Sequence, residues 1–213
     1  MADSIEDLVH TTDRWMVKPN WVTKPNRDFT LNRDTLNKDG TRYTLYSISD
    51  YLEHSWGYEF LVPDKETEFA ILYFFSRRRG RHKRFWTPVW KNTFTLHTGI
   101  TMFDGYCDVE DRRFANVYQG YERLFILLTN GNLITRQITA VTTPEDGVER
   151  FTVATVFDRD IAITDIAYFG RFMLCRMNAD TLTMNHKTCH VSTHALRLKE
   201  LVREYTLAGP SES

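Results

Sequence analysis

PDKETEFAILYFFSRRRGRHKRFWTPVW, residues 63–90, decides how the rest of the chain is read. Up to Gly80 it predicts a helix over 64–79. Asp64 stands where an N-cap belongs, Glu66 and Glu68 occupy the positive first turn, and Arg77, Arg78 and Arg79 occupy the negative last turn before Gly80 at the C′ position. The apolar run FAILYFF is expected to bury this helix against a sheet. RFWTPVW then opens a strand, with Pro88 marking an edge or a bend. Across the junction, six positive charges fall in the eight positions from Arg77 to Arg84 and lead directly into Phe85, Trp86 and Trp90. A helix C-terminus accounts for the first three arginines without any ligand; Arg81, Lys83 and Arg84 lie beyond the glycine and need another explanation.

On either side of the helix the chain reads as strands. TRYTLYSIS (41–49) and YEFLV (58–62) precede it, rich in β-branched and aromatic residues. After it come the strand beginning in RFWTPVWKNTFTLHTGI (84–100), a polar loop DGYCDVEDRR, and NVYQGYERLFILLTNGNLITRQITAVT. Asn130-Gly131 between two β-rich runs signals a hairpin with a type I′ turn, which takes positive φ at both central residues. FTVATVF (151–157), AYFGRFMLCRM (167–177) and TLTMNH (181–186) continue the pattern. The fold class is therefore mainly β with one prominent helix (α+β), an antiparallel, barrel-like β body with helix 64–79 packed on it. Residues 1–40 are polar and broken by Pro19 and Pro25, with Trp15, Trp21 and Phe29 spaced too irregularly for an amphipathic helix. They read as an extended N-terminal arm that packs its aromatics on a neighbouring subunit or on its own domain. The remaining divisions are a strand-and-helix subdomain over 41–116, a β-rich subdomain over 117–206 and a disordered tail over 207–213.

Bulk properties narrow the function. An apolar content of 42% with 14% aromatics excludes a disordered chain, and 213 residues suffice for a real core. The net charge is −1; setting aside the six basic residues between 77 and 84 leaves 21 basic residues against 28 acidic ones. Positive charge is thus local, and most of the surface repels polyanions. Cys107, Cys175 and Cys189 are odd in number and lack a CxxC pair, so no disulfide framework is expected. MADSIEDLVHTTDRW carries acidic residues where a signal peptide carries basic ones, and no stretch reaches the roughly 18 apolar residues of a membrane span, which reads as a protein made and folded in the cytoplasm.

Candidate chemistry is sparse. His186, Cys189, His190 and His194 in HKTCHVSTH form a tempting metal or hydrolase set, but the stretch follows a strand and contains no acidic base, so strand-end histidines are expected instead. Asp158, Asp160 and Asp165 in FDRDIAITD read as a solvated turn. GxSxG, P-loop and GxGxxG patterns are absent. No catalytic residue, metal or cofactor is therefore expected, and the chain is read as a non-enzyme. Arg77 to Arg84 with Phe85, Trp86 and Trp90 make a formal case for a nucleic-acid-binding module that stacks bases on aromatics. The same residue types are enriched in protein interfaces and β cores.

YFFSRRRGRHKRFWTPVW (73–90) resembles the FF-x-x-R-R-G-R pattern, with its following Phe and Trp, of distal-tail or tail-tip proteins of siphovirus-type bacteriophages and gene transfer agents. YQGYERLFILLTNGNLITRQITAV (118–141), RFMLCRMNADTLTMNHKT (171–188) and LRLKELVREYT (196–206) are similar to the β-rich region of such proteins, so the likeness spans roughly residues 41–206. The extra Arg79 and Lys83 and the polar arm before residue 40 depart from that pattern. The resemblance implies a structural virion component that forms a homo-oligomeric ring at the tail tip and joins tail tube to hub or receptor-binding proteins, with no specific nucleic-acid partner and no catalytic residues. Its interface is expected to use Trp15, Trp21, Arg81, Lys83, Arg84, Phe85, Trp86 and Trp90.

Overall fold

The computed structural model describes residues 14–23, 25–30, 33–38, 42–47, 53–91, 93–118, 120, 122–188 and 191–202. Antiparallel pairing dominates. One sheet runs in the order β1 (Asn26–Thr30), β4 (Glu53–Val62), β12 (Ser192–Glu200), β10 (Ile166–Met177), β7 (Arg123–Leu128), β8 (Leu133–Glu145), β9 (Val148–Val153) and β6 (Tyr106–Glu110). β5 (Phe85–Pro88) also pairs with β10, and β11 (Thr183–His186) with β12; β2 (Arg33–Lys38) and β3 (Arg42–Ser47) form a separate hairpin. Among the described strands no pairing joins β1 to β6, so the sheet has two ends rather than the closure of a barrel.

The order corrects the expected domain divisions. β4, from the first half, lies beside β12, from the second, over eight register pairs from Ser192↔Val62 to Lys199↔Ser55. Strands on the two sides of residue 117 share one sheet and one set of cores. Of the two places expected for the aromatics before residue 40, Trp15 takes the one on its own domain: it is only 1% exposed, with its backbone N–H donating to Trp86 O at 2.7 Å and its carbonyl accepting from Thr87 Oγ1 at 2.9 Å, and β1 pairs with β4. The irregular spacing of Trp15 hides this, because its partners come from residues far along the chain. The tail proposed for 207–213 lies outside the described residues, as does most of the arm's first third.

α1 (Lys65–Arg78) forms as its sequence dictates. The Asp64 carboxylate accepts from Thr67 N–H at 2.7 Å and Thr67 Oγ1–H at 3.1 Å, holding the first turn. Its inward face, Ile71 and Phe74, packs with Trp15, Trp56, Tyr58, Phe60 and Phe85 onto β4, β10 and β12. Period-two alternation splits β10 between two layers: Met173, Cys175 and Met177 face the helix core, whereas Phe172 and Leu174 join Trp86, Trp90 and Phe125 on the other face. A third cluster, with Phe94, Phe151 and Phe169, fills the β6–β9 end.

Between β7 and β8 the hairpin lies where Asn130-Gly131 places it, with another turn type. Leu127 pairs with Leu133, Leu128 N–H donates to Asn132 O at 2.9 Å, and only Gly131 takes positive φ, +88°. Three residues turn the chain, the arrangement of a turn followed by a left-handed glycine, so a two-residue type I′ turn is not formed. Among the described residues no helix is long and apolar enough to cross a membrane.

Candidate functional site

The end of α1 is built from backbone before any side chain takes part. Arg79 already adopts the left-handed region (φ +53°), one residue before the glycine that was expected to do so, and Gly80 follows at +58°. Arg79 N–H donates to Ser76 O at 3.0 Å, Gly80 N–H to Phe75 O at 3.4 Å, and Lys83 N–H to Arg78 O at 3.1 Å. The last carbonyls of the helix are thus closed by the turn over 79–84. Gly80 is required twice over. A Cβ there meets Asp180 Cα at 2.9 Å and Oδ1 at 2.6 Å, in addition to the left-handed φ. Asp180 pins the turn further, accepting from Arg81 N–H at 3.0 Å and pairing with Arg81 Nε at 2.8 Å.

Against this turn lies a cleft of about 490 Å³ lined by Arg77, Arg78, His82, Lys83, Arg84, Arg176 and Leu201. Three elements supply its charge: α1, the turn, and the end of β10. Arg78 is 5% exposed; its Nη1 donates to Arg84 O at 3.2 Å and its guanidinium lies 5.0 Å from the Phe74 ring centre. Among the described residues no carboxylate lines the cleft. Arg81 points elsewhere, to Asp180.

The aromatics that follow the basic run do not share its surface. Phe85, Trp86 and Trp90 are buried in their own fold, Trp86 stacked 5.4 Å from Phe172, and Trp90 edge-on 5.8 Å from Phe125 with its carbonyl accepting from Tyr168 O–H. With Trp15 also inside, four of the eight expected interface residues lack the exposure that role needs. Pro88 explains the misreading: it pairs with Phe172 at the end of β5, yet β5 is covered on both faces. Trp21, Arg81 and Lys83 remain exposed and Arg84 is half-buried. The rings of Phe85, Trp86 and Trp90 are turned into the core and offer no open face beside the basic run.

Sequence reasoning missed a different surface. Phe69 and Tyr73 are 68% and 60% exposed and, with exposed Arg77, recur every fourth residue along the outer side of α1. FAILYFF is therefore not buried throughout. The 3.6-residue period held the signal, since Ile71, Phe74 and Arg78 fall on one side and Phe69, Tyr73 and Arg77 on the other.

The histidine–cysteine set does not assemble among the described residues, where no group of three or more metal-ligating side chains occurs. Cys189 and His190 lie outside them, His186 is exposed at the end of β11, and His194 is buried in β12. His194 Nε2 lies 3.0 Å from Ser192 Oγ, which in turn lies 3.3 Å from Glu68 Oε2. With Nε2–H donating to Oγ and the hydroxyl donating to the carboxylate, both bonds form and Nδ1 is left as a buried lone pair without a partner among the described residues. Burial lowers the His194 pKa, so the ring stays neutral. The chain ties the first turn of α1 to β12. Elsewhere, Asp158 grips Arg159 in two bonds, Asp160 accepts from Met102 N–H at 2.7 Å and Asp165 from Ala162 N–H, the turn contacts expected of FDRDIAITD. Cys107 and Cys175 are buried thiols whose pKa is raised by desolvation.

Compared with protein-family models and with curated proteins, the sequence matches none.

Proposed function

We propose that this chain is a structural component of a bacteriophage tail, assembling with copies of itself into a ring at the distal tail and joining tail tube to hub or receptor-binding proteins. The resemblance of residues 73–90 supports the place in the virion. The observation that carries the assembly reading is the outer side of α1: Phe69 and Tyr73 stand in solvent on a helix whose other aromatics, Phe74 and Phe75, are buried and half-buried. Exposed large apolar side chains grouped on one ridge mark protein–protein contacts. The buried Phe85, Trp86 and Trp90 weigh against the base-stacking alternative, since stacking needs open rings.

Mass spectrometry of particles purified from the source phage tests the reading, followed by electron microscopy with an antibody fragment against the chain. Label at the tail tip is the expected result. Particles that lack the chain, or carry it in the capsid, contradict the proposal.

A further inference from the structure

We infer that the Met102–Phe103 turn docks on the Phe69–Tyr73 ridge of another copy of this chain. Resting on the assembly reading proposed above, this contact gives each subunit the two different faces that a ring of more than two copies needs. Residues 101–104 form a turn of type II, with Asp104 N–H donating to Thr101 O at 3.0 Å and a positive φ, +73°, at its third residue. Glycine suits that position; here it is Phe103. Its ring is 69% exposed and Met102 is 43% exposed, so packing within the chain recovers little of the cost of that backbone. A bulky apolar side chain held in a disfavoured conformation and turned to solvent marks a contact surface.

The turn is held in place before any partner arrives. Phe103 N–H donates to Phe157 O at 2.8 Å, Phe157 N–H to Asp104 O at 3.0 Å, and Met102 N–H to Asp160 Oδ1 at 2.7 Å. Ile100, Phe157 and Ile161 anchor it in the core of the β6–β9 end. Such preorganisation lowers the cost of docking. The two faces also match in chemistry. Met102 and Phe103 bring a thioether and a ring to the rings of Phe69 and Tyr73. Residues 101–106 and 156–165, around the turn, carry four aspartates and one arginine, whereas residues 69–84 carry six basic residues and no acidic one, with Arg77, Arg79 and Lys83 exposed. Opposite charge favours turn against ridge and disfavours turn against turn. Because α1 packs over β4, β10 and β12 while the turn leads into β6, the last strand at the other end of the sheet order, a head-to-tail contact uses both faces.

Sedimentation velocity of the full chain as wild type, Phe103→Gly, Phe69→Ser/Tyr73→Ser and an equimolar mixture of the two variants tests the contact. The expected results are a wild type larger than a dimer, two monomeric variants, and a mixture that sediments as a one-to-one dimer, since the mixture keeps one intact face of each kind. Glycine at a positive φ relieves strain, so the melting temperature of Phe103→Gly is expected at or above that of the wild type. A melting temperature well below it overturns the contact by giving the ring a role in the fold. An oligomeric wild type whose Phe103→Gly variant forms the same oligomer overturns the contact and leaves the assembly reading standing, whereas a wild type that is monomeric at every concentration overturns both. A mixture that stays monomeric overturns it in favour of ridge-to-ridge pairing. Flotation of the wild type with phosphatidylcholine vesicles, abolished by Phe103→Gly while the oligomer is unchanged, overturns it in favour of a lipid surface.

Discussion

At the scale of single residues, Gly80 and His194 show how much local detail depends on distant partners. Gly80→Ala places a methyl group 2.9 Å from Asp180 Cα at a left-handed φ, whereas Gly147→Ala, at φ +82°, meets nothing within 4 Å. The second substitution is expected to cost about 1 kcal/mol and the first about 2 kcal/mol or more, measured by urea unfolding. Sequence alone marks Gly80 as a helix stop; the crowding by Asp180, a hundred positions on, has no local signal. For His194, burial lowers the pKa below its ordinary 6.5. The unfolded chain therefore takes up a proton that the folded chain refuses, so stability present above about pH 6.5 is lost as the pH falls below it. Melting temperatures from pH 8 to pH 5 are expected to drop less steeply in His194→Gln than in the wild type. An equal slope contradicts the role given to the buried ring.

At the scale of elements, the helix and the long strands were legible because their causes are local. Asp64, the acidic first turn and the apolar middle identify α1, and Asp64→Ala is expected to lower stability by about 1 kcal/mol in chemical denaturation. AYFGRFMLCRM spans nearly all of β10, since alternating side chains with both faces apolar suit a central strand. Three things escaped. The hairpin took a three-residue turn, Trp86 and Trp90 went inside although Pro88 suggested an edge, and the outer side of α1 stayed aromatic. Each was decided by what packs opposite, which no single stretch contains. The buried Glu200 is a further example: register alone brings Arg171 Nη2 to 3.1 Å and His54 Nδ1 to 2.8 Å from its carboxylate oxygens. Glu200→Gln removes the charge facing a nearly buried guanidinium, and a loss of about 3 kcal/mol is expected in the same unfolding assay.

At the scale of the whole molecule, the pairing of β4 with β12 means that the two halves of the sequence cannot complete their cores separately. Fragments 1–116 and 117–213 are each expected to lack the dispersed amide spectrum of the full chain, and two well-folded fragments contradict the shared sheet. The site divides in the same way. Legible beforehand was the local positive charge; the cleft and the Phe69–Tyr73 ridge were not, because both depend on which side of a helix meets the sheet. Assembly through that ridge is the central claim, and sedimentation velocity of the wild type beside Phe69→Ser/Tyr73→Ser tests it most directly. Both substitutions are exposed, so stability should stay within about 1 kcal/mol of the wild type. The expected result is a wild type that sediments as a closed oligomer and a double variant that sediments as a folded monomer. A wild type that is monomeric at every concentration, or a double variant that forms the same oligomer, contradicts the account.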